Sequence, residues 1–174
     1  MMIEQLNAWQ SLKDQFDLSS LQIDLFKKYI DFLLQENLKT NLTGFKTVED
    51  QISMNLADSL QLTKYLTLNN KCVVDVGSGA GIPGVALAIA TDCRMHLLEI
   101  REKRINFLKQ AIEYLSLTNV TVDPRDWLTF IRTKKIKVDY YLARASLQPE
   151  ELLKGLNYDQ ATIIYWAAAD WQPA

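Results

Sequence analysis

The sequence predicts a single doubly wound α/β domain with a mostly parallel sheet, carrying a helical cap at its N-terminal end. Three observations support this. From Lys71 onward, short apolar runs rich in β-branched residues alternate with stretches of helical period. The first of these runs ends in a turn dense in glycine, and the residues before 70 show helical period only. With 174 residues and 48% hydrophobic content, the chain can bury one sizeable core and is too short for two ordinary domains. No repeat, low-complexity tract or linker interrupts it, so residues 1–174 read as one domain, helical over 1–68 and α/β over 69–174.

Each element has its own signal. Ser19 and Gln22 have the capping-box spacing, and Leu21, Leu25, Tyr29, Phe32 and Leu33 then recur at helical intervals to about Glu36. Thr47 and Asp50 repeat the cap spacing before Val48, Ile52, Leu56 and Leu60, which share one stripe and predict a second helix ending near Leu66. Asn69-Asn70 marks the stop. Cys72 to Val76 predicts the first strand, Pro83 to Ala90 a helix, and Met95 to Leu98 the second strand. Ile105, Leu108, Ala111, Ile112 and Leu115 lie on one face of a helix from Arg101 to Leu115. Val120 to Val122, Tyr140 to Ala143 and Thr162 to Trp166 complete five strands, with helical segments near Asp126 to Ile131 and Pro149 to Leu156. Alternating strands and helices with right-handed crossovers give a parallel sheet covered on both faces.

Composition excludes several classes. The 19 basic and 21 acidic residues give a net charge of −2, which argues against a generally basic nucleic-acid coat. The distribution is uneven: residues 93–144 carry 11 basic and 6 acidic groups, whereas residues 1–70 carry 6 and 9. A local basic face is therefore available. Cys72, Cys93 and the single histidine, His96, form no metal-ligand spacing, so no metal site is expected and the thiols read as buried and reduced. The first ten residues have no basic region ahead of an apolar core, and no run of eighteen apolar residues occurs. The expectation is a cytoplasmic protein with no membrane partner.

The most informative stretch is Val73-Val74-Asp75-Val76-Gly77-Ser78-Gly79-Ala80-Gly81-Ile82-Pro83-Gly84. A buried strand runs into a glycine turn and then a helix, with Pro83 suited to the first helical turn. In an open parallel sheet this is where a ligand binds. Gly79, Gly81 and Gly84 match G-x-G-x-x-G, so a dinucleotide-dependent enzyme is one alternative. Against it, the glycines begin at Gly77, Asp75 would repel a pyrophosphate, and Pro83 offers no N–H. A cofactor with a cationic amino-acid end, such as S-adenosylmethionine, suits Asp75 better. Glu99, 22 residues past Gly77 at the end of the second strand, can take ribose hydroxyls of either cofactor.

In order and spacing, several further residues resemble the glucose-inhibited division protein B family. They are Asn41-Leu42-Thr43, Asp58-Ser59-Leu60, the run from Asp75 to Gly84, Leu98-Glu99 with Lys103-Arg104 and Phe107-Leu108, Arg125, and Ala143-Arg144-Ala145. The resemblance covers about residues 20–147. It implies a class I S-adenosylmethionine-dependent methyltransferase fold, and transfer of a methyl group to N7 of a guanine in 16S ribosomal RNA. It implies further that Asp75, Gly77, Ser78 and Gly79 hold the methionine end of the cofactor, that Ile82 packs beside it, and that Glu99 takes the ribose. Asp126 and Trp127 would border the adenine, and Arg144 would face the cleft. Lys103, Arg104 and Arg125 would belong to an RNA-facing surface on 16S ribosomal RNA or the small ribosomal subunit. The chain departs from the family pattern at Asn55, where histidine is usual. It also departs at Tyr165-Trp166-Ala167-Ala168-Ala169-Asp170, which offers no lysine, and it lacks a counterpart of the closing strand pair. A shortened, non-catalytic cofactor- or RNA-binding relative is accordingly the other alternative.

Guanine N7 carries an in-plane lone pair, so this chemistry needs alignment and water exclusion and no general base. Arg125 and Arg144 are the residues assigned to catalysis, as clamps that position the base through phosphate or O6. Lys134, Lys135 and Lys137 read as a solvated loop, Trp127 and Phe130 as core, and His96 as structural. Trp166 and Trp171 are candidates for covering a sheet edge or a dimer contact, although a monomer is the expected state.

Overall fold

The computed structural model describes residues 2–167. Helices α1 (Met2–Phe16) and α2 (Ser20–Thr40) open the chain. A mixed helical segment follows, made of α3 (Val48–Asp50), a π-helix (Gln51–Ala57), α4 (Asp58–Leu60) and a 3-10 turn (Gln61–Lys64). The α/β part then runs β1 (Cys72–Val76), α5 (Gly84–Ala90), β2 (Arg94–Leu98), α6 (Glu102–Tyr114), β3 (Val120–Asp123), α7 (Trp127–Thr133), β4 (Tyr140–Arg144), α8 (Pro149–Leu153), a 3-10 turn (Lys154–Asn157) and β5 (Thr162–Trp166).

All strand pairs are parallel and the sheet order is β3-β2-β1-β4-β5. The chain thus winds outward from β1 through β2 to β3, then crosses back to β4 on the other side. The carboxyl ends of β1 and β4 form the topological switch point. Every residue of β1 is buried, as a central strand covered on both faces requires.

The cap shares a core with the sheet. Ile23, Phe26, Tyr29, Ile30 and Leu33 of α2 join Val85, Leu87 and Ile89 of α5 in one cluster. Each such side chain contributes about 1.5–3 kcal/mol on leaving water. Gln22 Nε2 also donates to the last carbonyls of α5, Ile89 O at 3.2 Å and Ala90 O at 3.0 Å. A second cluster, with Val74, Val76, Trp127, Phe130 and Tyr141, fills the opposite face.

Several expectations are corrected. The capping box at Ser19 and Gln22 is formed, but α2 runs on to Thr40 and stops where Asn41 turns left-handed at φ 50. Helix α1 lies within the part expected to be helical, residues 1–68, but no pattern there gives its bounds, because its buried Trp9 and Leu12 form only a narrow stripe. The single helix expected from Thr47 to Leu66 is broken into α, π and 3-10 pieces. Its apolar stripe of Ile52, Leu56 and Leu60 is buried as expected, but Gln51, Asn55 and Ser59 are buried beside it and need polar partners. Lys134 is not solvated: its ammonium lies 2.9 Å from the Asp159 carboxylate, which also accepts from the Tyr141 hydroxyl at 2.6 Å. Cys72 and Cys93 are buried free thiols, and Trp127 and Phe130 are core. His96 is half-buried, with Nδ1 2.8 Å from Thr121 Oγ1. Trp166 is half-buried on β5, the outermost strand of the described sheet, while Trp171 and the stretch Ala168 to Asp170 lie outside the described residues. Among the described residues no helix is long and apolar enough to cross a membrane and no cluster of metal-ligating side chains occurs.

Candidate cofactor cleft

A cleft of about 450 Å³ opens at the carboxyl ends of the strands. Its walls include Gly77 after β1, Glu99 to Arg101 after β2, Arg125 to Leu128 after β3, and Ala145 to Leu147 after β4. Its volume falls within the usual range for small-molecule sites.

The glycine loop is tied down on all sides. Asp75 is buried and its Oδ2 accepts from Gly84 N at 3.0 Å, holding the first turn of α5 against β1. Such close approach requires glycine, because a Cβ at Gly84 would lie 2.6 Å from Asp75 Oδ2. Burial pushes the Asp75 carboxyl up to about 7, against the opposing pull of the Gly84 N–H. From the cap, the Tyr29 hydroxyl donates to Ala80 O at 2.5 Å. Burial, reinforced by the nearby Asp75 charge, raises the Tyr29 phenol well above its ordinary value. Gly77 has φ 73 and faces Ser146 so closely that a Cβ would stand 2.5 Å from Ser146 Cβ.

The loop amides decide between ligands. Ser78 N donates to Leu98 O, Gly79 N to Glu99 Oε2, Gly81 N to Ser78 O and Gly84 N to Asp75 Oδ2. A pyrophosphate needs such N–H groups free at the helix N-terminus. Here four are already paired within the protein.

Glu99 is buried and accepts from Gly79 N at 3.0 Å and from Ile100 N and Arg101 N at 2.9 Å each. Arg104 Nη1 stands 3.6 Å away. An ionised carboxylate has about four acceptor sites, so one remains for a hydroxyl donor from the cleft. Asp126 caps α7 by accepting from Thr129 N at 3.0 Å. Trp127 is buried with its indole N–H donating to Glu151 O at 3.2 Å, and it contributes to the cleft wall.

Of the residues singled out from the sequence, the cleft brings together Gly77, Glu99, Arg104, Arg125, Asp126 and Trp127. Asp75, Ser78, Gly79, Ile82, Lys103 and Arg144 are not in its wall. Asp75 and Ser78 support the loop from beneath, with Ser78 Oγ donating to Asp75 O at 2.9 Å. Lys103 is exposed on α6. Arg125 is held in a fork by Asp123, at 2.8 Å to Oδ1 and 2.5 Å to Oδ2, and lies over the Phe130 ring. That arginine pulls the Asp123 carboxyl below its usual range. Arg144 turns toward the cap and bonds Asn55, Met54 O and Asp58. The sequence reading missed Ile100, Arg101, Ser146 and Leu147 as wall residues; they follow β2 and β4 directly, so strand-end position was the available signal.

The family model for rRNA small subunit methyltransferase G matches residues 22–160. The chain belongs to the rRNA small subunit methyltransferase G family. A family member from Aster yellows witches'-broom phytoplasma is 36% identical over 148 residues, covering 84% of this chain and 70% of that protein. One from Oenococcus oeni is 38% identical over 143 residues, covering 79% and 59%. Both are named ribosomal RNA small subunit methyltransferase G. The fold is that of the class I methyltransferases. A SAM-dependent methyltransferase from Aquifex aeolicus superposes with a TM-score of 0.53 at 19% identity, covering 79% of this chain and 77% of that one. A mutant of MtNAS in complex with S-adenosylmethionine superposes at 0.58 with 17% identity, covering 90% and 66%.

The cleft suits S-adenosylmethionine by three features of its own: a Gly77 wall without a Cβ, a Glu99 carboxylate with acceptor capacity left, and a buried Ser146 hydroxyl oxygen that no group among the described residues meets.

Proposed function

We propose that this chain is an S-adenosylmethionine-dependent methyltransferase acting on N7 of a guanine in 16S ribosomal RNA, as a cytoplasmic monomer. Membership of the family supports the reaction class. The observation that carries the ligand assignment is the pairing of the loop amides at 78, 79, 81 and 84, which leaves a glycine-walled cleft with the Glu99 carboxylate at its side in place of a phosphate cradle.

Bound in the cleft, the cofactor supplies a methyl group on a positively charged sulfur. Glu99 would take a ribose hydroxyl with its remaining acceptor position, Gly77 and its loop would pass beside the methionine arm, and Asp126 with Trp127 would border the adenine. Asp75 holds the loop through Gly84, and Ile82 packs behind it. The protein needs no base, since guanine N7 presents its lone pair directly. Its contribution is orientation, which supplies on the order of 7–11 kcal/mol in favourable cases. Arg104 and Arg125 on the cleft wall, with exposed Lys103, offer phosphate contacts to the RNA backbone. Arg144, turned from the cleft by Asn55, Met54 O and Asp58, fixes the end of β4 against the cap and so positions the cleft wall that follows it.

The test is calorimetry with S-adenosylmethionine against NAD, followed by methyl incorporation into 16S ribosomal RNA or 30S particles. S-adenosylmethionine binding with incorporation is expected. NAD binding without an S-adenosylmethionine signal would overturn the reading, and cofactor binding without incorporation would assign a non-catalytic role.

A further inference from the structure

We infer that Ser146 binds the amino-acid end of the cofactor, an inference that rests on the S-adenosylmethionine reading and gives that site a residue it did not have. Ser146 follows β4 by two residues and contributes to the cleft wall. Among the described residues, its Oγ is the buried side-chain oxygen or nitrogen left without a hydrogen-bond partner. A buried hydroxyl without a partner is destabilising and is kept where something outside the fold completes it.

The backbone places this hydroxyl deliberately. Ala145, between the strand end and Ser146, is left-handed at φ 49, a conformation that disfavours residues with a Cβ. The turn brings the Ser146 side chain against Gly77, whose own φ is 73. Ser146 packs into the space that a Cβ on residue 77 would take, 2.5 Å from Ser146 Cβ. Two positive-φ residues, Gly77 and Ala145, each directly after one of two adjacent strands, therefore bring one unsatisfied hydroxyl to the switch point.

Sheet order identifies which part of the ligand it meets. From β3 to β4 the strand ends present Asp126 and Trp127, then Glu99, then Gly77, then Ser146. With a ribose hydroxyl at Glu99 and the flat base toward Trp127, the remaining arm lies at Gly77 and Ser146. That arm carries an ammonium and a carboxylate. A serine hydroxyl can accept from the first or donate to the second, turning about its Cα–Cβ bond to face the cleft.

The experiment compares wild type, Ser146→Ala and Ser146→Thr by calorimetry with three ligands. S-adenosylmethionine and S-adenosylhomocysteine carry the amino-acid arm, and methylthioadenosine does not. For Ser146→Ala we expect about tenfold weaker binding of the first two, the scale of a lost hydrogen bond to a charged group. Methylthioadenosine affinity should be unchanged, Ser146→Thr should restore part of the loss, and the ligand-free alanine variant should melt no lower than wild type. Equal affinity of wild type and Ser146→Ala for S-adenosylmethionine would overturn the inference, as would an equal loss for all three ligands. If wild type binds none of the three, the cofactor reading itself falls.

Discussion

Arg144 Nη1 donates a 2.8 Å hydrogen bond to Asn55 Oδ1 across 89 positions of sequence, joining the end of β4 to the π-helix of the cap. The same guanidinium donates through Nη2 to Met54 O at 2.7 Å and pairs through Nε with Asp58 at 3.1 Å. Asn55 in turn donates to Gln51 Oε1 at 2.7 Å, and Gln51 Nε2 to Phe45 O at 2.9 Å. The widened π turn lets one helical face offer a carbonyl, an amide and a carboxylate to a single arginine.

Asn55 is buried, while the Asp58 side chain is 44% exposed. Asn55→Leu strands partners on both sides and should cost about 1–3 kcal/mol, lowering Tm by roughly 2–12 °C. Asp58→Asn removes a screened ion pair worth less than about 1 kcal/mol. Thermal unfolding of the two variants should rank them in that order, and the reverse order would show that the ion pair is the stronger tie.

Tyr29 reaches from the cap to the carbonyl of Ala80 within the glycine loop. Tyr29→Phe keeps the ring in its fully buried site but leaves that carbonyl unpaired, at a cost of about 1–3 kcal/mol. Denaturant titration should show the lower midpoint, and S-adenosylmethionine affinity should fall with it because the loop loses an anchor.

Asp75 sets a pH dependence. Its carboxyl is raised to about 7 by burial, above the unfolded value of about 4. The folded state therefore binds the proton more tightly than the unfolded one. The stability this group contributes is full below pH ~4 and is lost as pH rises through about 7. Melting curves of wild type and Asp75→Asn between pH 5 and 8.5 should diverge, with wild type falling relative to the variant as pH rises; parallel curves would contradict the assignment.

Glu99→Gln preserves shape and removes an acceptor. Both carboxylate oxygens face backbone N–H groups, so whichever way the amide is turned its NH2 confronts a donor. We expect lower stability by about 1–3 kcal/mol and cofactor binding weaker by about tenfold or more, read by unfolding and calorimetry.

Lys103 is exposed, and no salt bridge occupies it among the described residues. Lys103→Glu should weaken binding of a 16S ribosomal RNA fragment and shallow its salt dependence by about one counterion. Affinity for S-adenosylmethionine should not move, which a parallel titration would verify.

The five strands, their parallel class and the glycine turn were legible in the sequence, because β-branched runs and glycine clusters are local signals that burial in a parallel sheet reinforces. The run from Asp75 to Gly84 likewise announced a ligand loop, and Glu99 its partner one strand away. What sequence could not carry was the direction of long side chains. Arg144 sits where a strand-end residue meets a ligand, yet three groups of the cap turn it aside, and those groups converge because the expected helix widens into a π turn over its buried Gln51 and Asn55. Ser146 gives no sequence signal at all: it matters only because Ala145 turns left-handed and Gly77, 69 positions earlier, has no Cβ. Local propensity thus determined which elements form and where the glycines lie. The tertiary structure decided which polar atoms are satisfied and which are left facing the cleft, because that depends on contacts between segments distant in the chain.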